Sequence, residues 1–320
     1  MQDLLYLNDA AIQQCAISID EVAESIRHAF VEKHALRAIT GHPLYMKASP
    51  ELDFKAKGGV LIAQGFAAMK WYGFAAGNAA LNLPNFIPMI LINRMPAGEP
   101  VAVMDGHWIS GVRTAGLSAA AATVLADPDS RSVGFIAAGL QARSHLDALR
   151  ARFPIERVTA YSLSGKGAST FVAYAQSLGL QAQVAECARD AVSNHQIVIT
   201  STPRLSSYTS FLDIDWLSPG TFVSMVDGGR AWDASGFDKL DMVVTDDLDP
   251  TDQKPLEELH YKGRFAGELS EVLAQSKFTA WCGNGRRALV FAGSGLADAA
   301  VSVLVYQRAL ELGLGQVLER

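Results

Sequence analysis

An α/β fold, built as a doubly wound parallel sheet beside a smaller α+β domain, is predicted by three features of this 320-residue chain. From Ser132 onward, short and nearly continuous apolar runs alternate with amphipathic stretches, as in a parallel sheet covered by helices on both faces. Between about Val60 and Met104 the runs are strand-like but joined by turns, which marks antiparallel or mixed sheet. A hydrophobic content of 49% can fill one large core or two moderate ones, so one or two domains are expected.

Taken in order, Ser18-Ile19-Asp20-Glu21 forms a capping box before Val22, Ile26, Ala29 and Phe30, apolar positions at helical spacing, so a helix begins there. Phe86–Asn93 and Pro100–Met104 flank the turn-forming Pro96-Ala97-Gly98-Glu99 and read as a hairpin. The Ala- and Ser-rich stretch Ile109–Ala126 reads as a helix connecting two domains, its small side chains permitting close packing. Strands follow near Val133–Ala138, Arg157–Ser162, Gln181–Ala185, Ile197–Ser201, Thr221–Val226 and Met242–Thr245. The helices between them are Leu140–Arg152, Ala168–Leu178 and Ala188–Asn194. Leu296–Leu310 is a long apolar helix expected to return to the first domain, which gives 1–115 plus 300–320 for one domain and 116–299 for the other.

Composition narrows the partners. With 27 basic against 33 acidic residues, a net charge of −6 and no basic run, the chain lacks the electrostatic footprint of a nucleic-acid binder. Cys15, Cys187 and Cys282 are far apart and form no metal-ligand spacing, so they read as structural thiols of a reducing compartment, and no metal site is expected. There is no basic segment leading into a long apolar one and no stretch long enough to span a bilayer, so a cytoplasmic protein without a membrane partner is expected.

The sharpest local signal is Val133-Gly134-Phe135-Ile136-Ala137-Ala138-Gly139-Leu140-Gln141-Ala142, a strand entering a tight turn and then a helix. It is a modified dinucleotide fingerprint, in which small residues let a pyrophosphate approach the backbone and the helix N-terminus supplies free N–H groups. The glycine positions read Ala137, Gly139 and Ala142, and an ordinary strand–helix turn is the alternative. On this reading the sheet is of the Rossmann type. After the second strand comes Tyr161-Ser162-Leu163-Ser164-Gly165-Lys166, which has no carboxylate for an adenosine ribose. Ser162, Ser164 and Lys166 suit a 2′-phosphate, which favours NADP(H) over NAD(H), although a polar loop without that role also fits.

Two cations stand in apolar surroundings. Lys70, in Met69-Lys70-Trp71-Tyr72, is costly to bury unpaired and so is expected to face a site, unless it snorkels at a sheet edge. Arg113 stands alone in a helix of small residues, where its fork suits either a ligand carboxylate or a structural ion pair.

With Asn78, Leu83-Pro84, Gly98-Glu99-Pro100, Ala102-Val103-Met104-Asp105-Gly106, Arg113-Thr114-Ala115, Ala138-Gly139-Leu140-Gln141-Ala142 and Phe291-Ala292-Gly293-Ser294-Gly295-Leu296-Ala297-Asp298 added to Met69-Lys70-Trp71, the chain resembles the ornithine cyclodeaminase/mu-crystallin family along nearly its whole length. The resemblance implies a homodimer whose Rossmann domain is joined to a substrate and dimerisation domain. It also implies an enzyme acting on a small amino or imino acid, by deaminating cyclisation, cyclic ketimine reduction or alanine dehydrogenase-like oxidation, or else a binding protein like mu-crystallin. Lys70 and Arg113 would then hold the substrate carboxylate, with Lys70 also near the reacting nitrogen. Two departures stand out. Where the family carries an Arg near Pro43, this chain has Lys47 as the candidate substitute. The catalytic Asp expected after the fifth strand has as its counterpart Asp227, two positions early, which also reads as a turn residue before Gly228-Gly229. The cofactor contacts expected are Thr114, Ala137, Ala138, Gly139, Leu140, Gln141, Ser162, Ser164, Lys166, Ser201, Thr202, Val226 and Gly295.

Overall fold

The computed structural model describes residues 3–163, 165–203, 209–249, 254–255, 259–275 and 284–319. In chain order the elements are β1 (Leu4–Leu7), α1 (Asp9–Gln14), α2 (Ile19–His34), β2 (Ala38–Thr40), β3 (Leu44–Ser49), β4 (Leu52–Leu61), β5 (Phe66–Ala75), β6 (Phe86–Arg94), β7 (Glu99–Asp105) and α3 (His107–Leu125). There follow β8 (Ser132–Ile136), α4 (Leu140–Arg150), β9 (Arg157–Tyr161), α5 (Lys166–Ser177), β10 (Gln181–Val184), α6 (Ala188–Val192), β11 (Ile197–Thr200), β12 (Phe222–Met225) and β13 (Met242–Thr245). Last come β14 (Gly267–Glu268), α7 (Leu269–Ala274), β15 (Arg287–Val290), α8 (Gly295–Leu312) and β16 (Gln316–Leu318). By internal contacts the chain forms two units, Met1–Arg113 with Ser294–Arg320, and Thr114–Gly293. Thr114 and Ala115, read from sequence with the first domain, fall in the second unit, and residues 294–299, read with the second domain, fall in the first.

The first unit is a largely antiparallel sheet in the order β16-β1-β7-β6-β5-β4-β2, with β3 also paired to β4. Strand β1 joins it parallel to β7. The β6–β7 hairpin forms where the turn residues predict it. Helix α2 starts at the Ser18–Glu21 capping box, with both reciprocal hydrogen bonds made. Val22, Ala23, Ile26, Ala29 and Phe30 form its buried face, which packs on α8. Helix α8 is apolar nearly all round because it is covered on one side by α2 and on the other by β4 and β5.

Two close approaches at glycines, Gly295 to Gly58 and Gly59 to Leu296, set how close α8 comes to the sheet. A Cβ on Gly295 would lie 2.4 Å from the Gly58 nitrogen, and one on Gly59 would lie 2.9 Å from Leu296 Cα. The opposite face of the same sheet is apolar and open. Met69 of β5 and Ile87 and Met89 of β6 alternate outward there, while their neighbours Lys70, Ile90 and Ile92 point in.

The second unit is an all-parallel sheet in the order β10-β9-β8-β11-β12-β15-β13-β14. Strands β8, β11, β12 and β15 are buried at every position, as a sheet covered on both faces requires. The six strands expected from sequence are present, and β14 and β15 are additional. Ala288, Leu289 and Val290, three apolar residues in a row after Arg287, carry no period that separates a strand from the start of a helix, and so β15 is invisible in the sequence. The order reverses between β8 and β11, which makes their carboxyl ends the switch point where doubly wound sheets bind ligands.

Candidate functional site

In the first unit, three distant chain segments converge on one ion cluster. Lys70 points inward from the middle of β5, Arg113 lies three residues beyond Ser110 on α3, and Asp298 stands in the first turn of α8. The Lys70 Nζ donates to Asp298 Oδ1 at 2.7 Å and to Ser110 Oγ at 3.4 Å. Arg113 Nε lies 3.2 Å from the same Oδ1. The ammonium also sits 5.6 Å and 5.7 Å from the ring centres of Tyr72 and Phe86. Lys70 and Asp298 are each 2% exposed. Burial pulls the Lys70 ammonium down to about 7, against the opposing pull of Asp298. Burial by itself would raise the Asp298 carboxyl, but Arg113 and Lys70 hold it below the usual range. Three buried polar atoms of the cluster, Arg113 Nε and Nη1 and Asp298 Oδ2, have no hydrogen-bond partner among the described residues, although Nε stands within ion-pair distance of Oδ1.

Asp298 and Lys57 received no role from the sequence. Lys57 is buried on β4 directly across from Lys70 in the antiparallel register, adding a third cation to that neighbourhood. The signal for Asp298 was present: a lone carboxylate in a run of small apolar residues is as costly to bury as Lys70. Lys47, by contrast, is not brought to the cluster. It is exposed on β3 and paired with Asp53, four residues along β4 from Lys57, or about 13 Å at ordinary strand rise.

In the second unit the fingerprint segment forms the expected strand, turn and helix. Ala137 takes the left-handed conformation, φ 69°, that a glycine would occupy without cost, and its N–H donates to the Tyr161 carbonyl. Gly139 is the N-cap of α4 and makes no side-chain cap. The first-turn N–H groups of Leu140 and Gln141 are thus left for an anion, and Ala138 is buried behind them. Ser201, at the end of β11, donates from its N–H to the Ile136 carbonyl and from its hydroxyl to the Ala137 carbonyl, which holds the turn across the switch point. These residues fit a dinucleotide pyrophosphate.

The neighbouring loop agrees only in part with the expected phosphate site. Lys166 is exposed at the first position of α5. The Ser162 hydroxyl, however, accepts the Ala168 N–H and so caps α5. Ser164 lies outside the described residues.

Three other expected site residues have structural work to do. Gly295 belongs to the first unit, where its missing side chain lets α8 meet Gly58. Asp227 lies at the carboxyl end of β12, but both its oxygens are engaged. Oδ1 accepts from the Thr200 hydroxyl and the Gly229 N–H, and Oδ2 from the Thr202 hydroxyl and N–H. Burial raises its carboxyl, with Thr202 and Arg230 opposing. That pattern ties β11 to the turn after β12, as the turn reading of Asp227 expects. Thr202 is thereby committed to Asp227 rather than exposed to a cofactor. Thr114 opens the second unit and is buried, and Val226, half-buried, follows β12.

A doubly wound unit with an uncapped helix at its switch point, in one chain with a unit holding a buried Lys–Asp–Arg cluster, defines a two-unit α/β protein of the Rossmann class. The chain belongs to the ornithine cyclodeaminase/mu-crystallin family, whose model matches residues 10–251. It is 30% identical to an alanine dehydrogenase of Archaeoglobus fulgidus over 95% of this chain and 94% of that one. Among solved structures it is similar to the Thermococcus litoralis Δ1-pyrroline-2-carboxylate reductase in complex with NADH and L-proline, with TM-score 0.88 and 26% identity over 98% of this chain and 99% of that chain. An archaeal alanine dehydrogenase dimer with bound NAD matches at TM-score 0.87 and 27% identity over 99% of both chains.

Proposed function

We propose that the protein is an NAD(P)-dependent enzyme acting on a small amino or imino acid, either by reducing a cyclic imine or by deaminating cyclisation of a diamino acid. The likeness to a pyrroline-2-carboxylate reductase and an alanine dehydrogenase favours the reductive form. The observation that carries this reading is the buried cluster, in which two cations share one carboxylate and Arg113 Nε and Nη1 have no hydrogen-bond acceptor among the described residues. A substrate carboxylate satisfies those donors and balances the charge. Lys70, with an ammonium that loses its proton near neutral pH, is suited to hold or release a proton beside the carboxylate it binds.

Ala137, Ala138, Gly139, Leu140, Gln141 and Ser201 are the proposed pyrophosphate cradle. The nicotinamide, when bound, supplies the hydride that an imine carbon gains as its nitrogen gains a proton, and is itself oxidised. NADP(H) is proposed over NAD(H) because β9 ends without a carboxylate and Lys166 is exposed at the start of α5. A homodimer is proposed through the open apolar sheet face of the first unit, in keeping with the dimeric neighbour. Among the described residues no helix is long and apolar enough to cross a membrane, and a cytoplasmic location is proposed.

The test is a paired assay. Ornithine and lysine with oxidised cofactor are scored for ammonia, and 1-pyrroline-2-carboxylate with NADPH or NADH is scored for loss of reduced-cofactor absorbance. Steady oxidation of the cofactor supports the reductase, and ammonia without net cofactor change supports the cyclodeaminase. Tight cofactor binding with neither reaction replaces the enzyme by a binding protein. Lys166→Glu is expected to lower the NADPH:NADH ratio of kcat/KM, and an unchanged ratio removes the NADP(H) preference.

A further inference from the structure

The cluster around Lys70 holds more than a carboxylate clamp requires. A site meant only for an anion needs donors, yet this one contains a buried carboxylate of its own, with Oδ1 hydrogen-bonded to Lys70 and ion-paired with Arg113, and Oδ2 without a partner among the described residues. A charged oxygen that a fold buries and leaves without a donor costs roughly tenfold to a hundredfold in the folding equilibrium unless something completes it. Among the described residues two donors of Arg113, Nε and Nη1, and one acceptor, Asp298 Oδ2, have no hydrogen-bond partner, and Nε lies 3.2 Å from the shared Oδ1. An α-amino or α-imino acid carries the matching pair on adjoining carbons: a carboxylate that accepts and a nitrogen whose N–H donates. A 2-oxo acid presents two acceptors and sets its carbonyl oxygen against a carboxylate.

We propose that Asp298 recognises the substrate's nitrogen, accepting its N–H at Oδ2, and so selects amino and imino acids over 2-oxo acids of the same shape. This rests on the reading that a small acid binds at Lys70 and Arg113. The carboxylate stabilises the protonated imine, the form whose carbon most readily accepts a hydride. Asp227, with both oxygens engaged inside the second unit, is not needed for that contact.

Two rigid ring acids of nearly the same size test the proposal: pyrrole-2-carboxylate, with an N–H beside its carboxylate, and furan-2-carboxylate, with an oxygen there. Titration calorimetry on the full-length protein with saturating cofactor is expected to show the pyrrole acid binding roughly 10- to 100-fold more tightly, the range for a hydrogen bond to a charged group. This first comparison uses only the wild-type protein. In Asp298→Asn the preference is expected to collapse to about threefold or less, since an amide offers a donor as readily as an acceptor. Lys70→Met is expected to weaken both acids equally. Equal binding of the two acids to the wild type, or a preference that survives in the Asp298→Asn protein, overturns the role of Asp298 while leaving the clamp intact. Binding of neither acid, together with no cofactor oxidation by 1-pyrroline-2-carboxylate, overturns the clamp itself and the proposal with it.

Discussion

The Lys70 ammonium and the Asp298 carboxylate, 228 residues apart in the chain, meet at 2.7 Å inside the first unit, each almost wholly removed from water. Buried ion pairs are poor sources of net stability because desolvation offsets their attraction. This one keeps two charges, with Arg113 beside them, where an apolar trio would pack as well. Its geometry therefore points to chemistry rather than to cohesion.

Titration of Lys70 has a definite sign. Its folded-state value, lowered by burial to about 7, lies below the ordinary value of 10.5 that the unfolded chain regains. Between those two values the unfolded state binds more protons, so this group's contribution to stability rises with pH across that window and is constant below it. Ligand binding runs the other way, because the clamp loses its charge. The Kd of a simple carboxylate such as furan-2-carboxylate is expected to be flat below pH 7 and to rise about tenfold per pH unit above it. In Lys70→Met the slope should vanish. Calorimetry from pH 6 to 9 checks this, and a flat wild-type profile would show that Lys70 does not titrate there.

Gly295→Ala separates two roles for that glycine. Its new methyl group would sit 2.4 Å from the Gly58 nitrogen and 2.6 Å from its carbonyl oxygen, so α8 must move off the sheet. A loss of roughly 1–3 kcal/mol is expected, read as a lower Tm, with cofactor affinity of the folded protein unchanged. Unchanged stability with weakened cofactor binding would restore Gly295 to the cofactor site.

At Ala137 the expected change is a gain. A non-glycine residue at φ 69° carries a cost of about 1–2 kcal/mol, larger than the roughly 0.5–1 kcal/mol of backbone entropy that a glycine loses on folding. Ala137→Gly is therefore expected to raise stability by up to about 1 kcal/mol and to leave dinucleotide affinity equal or tighter. A drop in Tm would mean that the methyl group makes a contact worth more than the strain.

The open sheet face gives the proposed dimer a simple assay. Met69, Ile87 and Met89 are 43%, 44% and 37% exposed on adjoining strands, an apolar patch that a second copy would cover. Met69→Asp with Met89→Asp is expected to convert a dimer to a monomer by light scattering after size exclusion. A wild-type protein that already runs as a monomer would remove the dimer proposal.

Much of this was legible along the chain, where local rules apply. The capping box at Ser18, the hairpin around Gly98, the strand–turn–helix at Ala137 and six parallel strands follow from caps, turn residues and continuous apolar runs, all of which act over a few residues. Lys70 and Arg113 were also visible, because a lone cation in apolar sequence carries a cost that a local reading detects. What the sequence by itself determined is thus which segments become strands and helices and which charges need an explanation. Only the tertiary structure decided the answers. Lys47 lies about four strand residues out of register from the cluster, both Asp227 oxygens are claimed by neighbours, Gly295 serves helix–sheet contact, and Asp298 is the counter-charge that Lys70 required. Each of these depends on a contact made across many residues of chain, where the close approach of Gly58 to Gly295 and the β4–β5 register, rather than any local preference, bring the groups within reach.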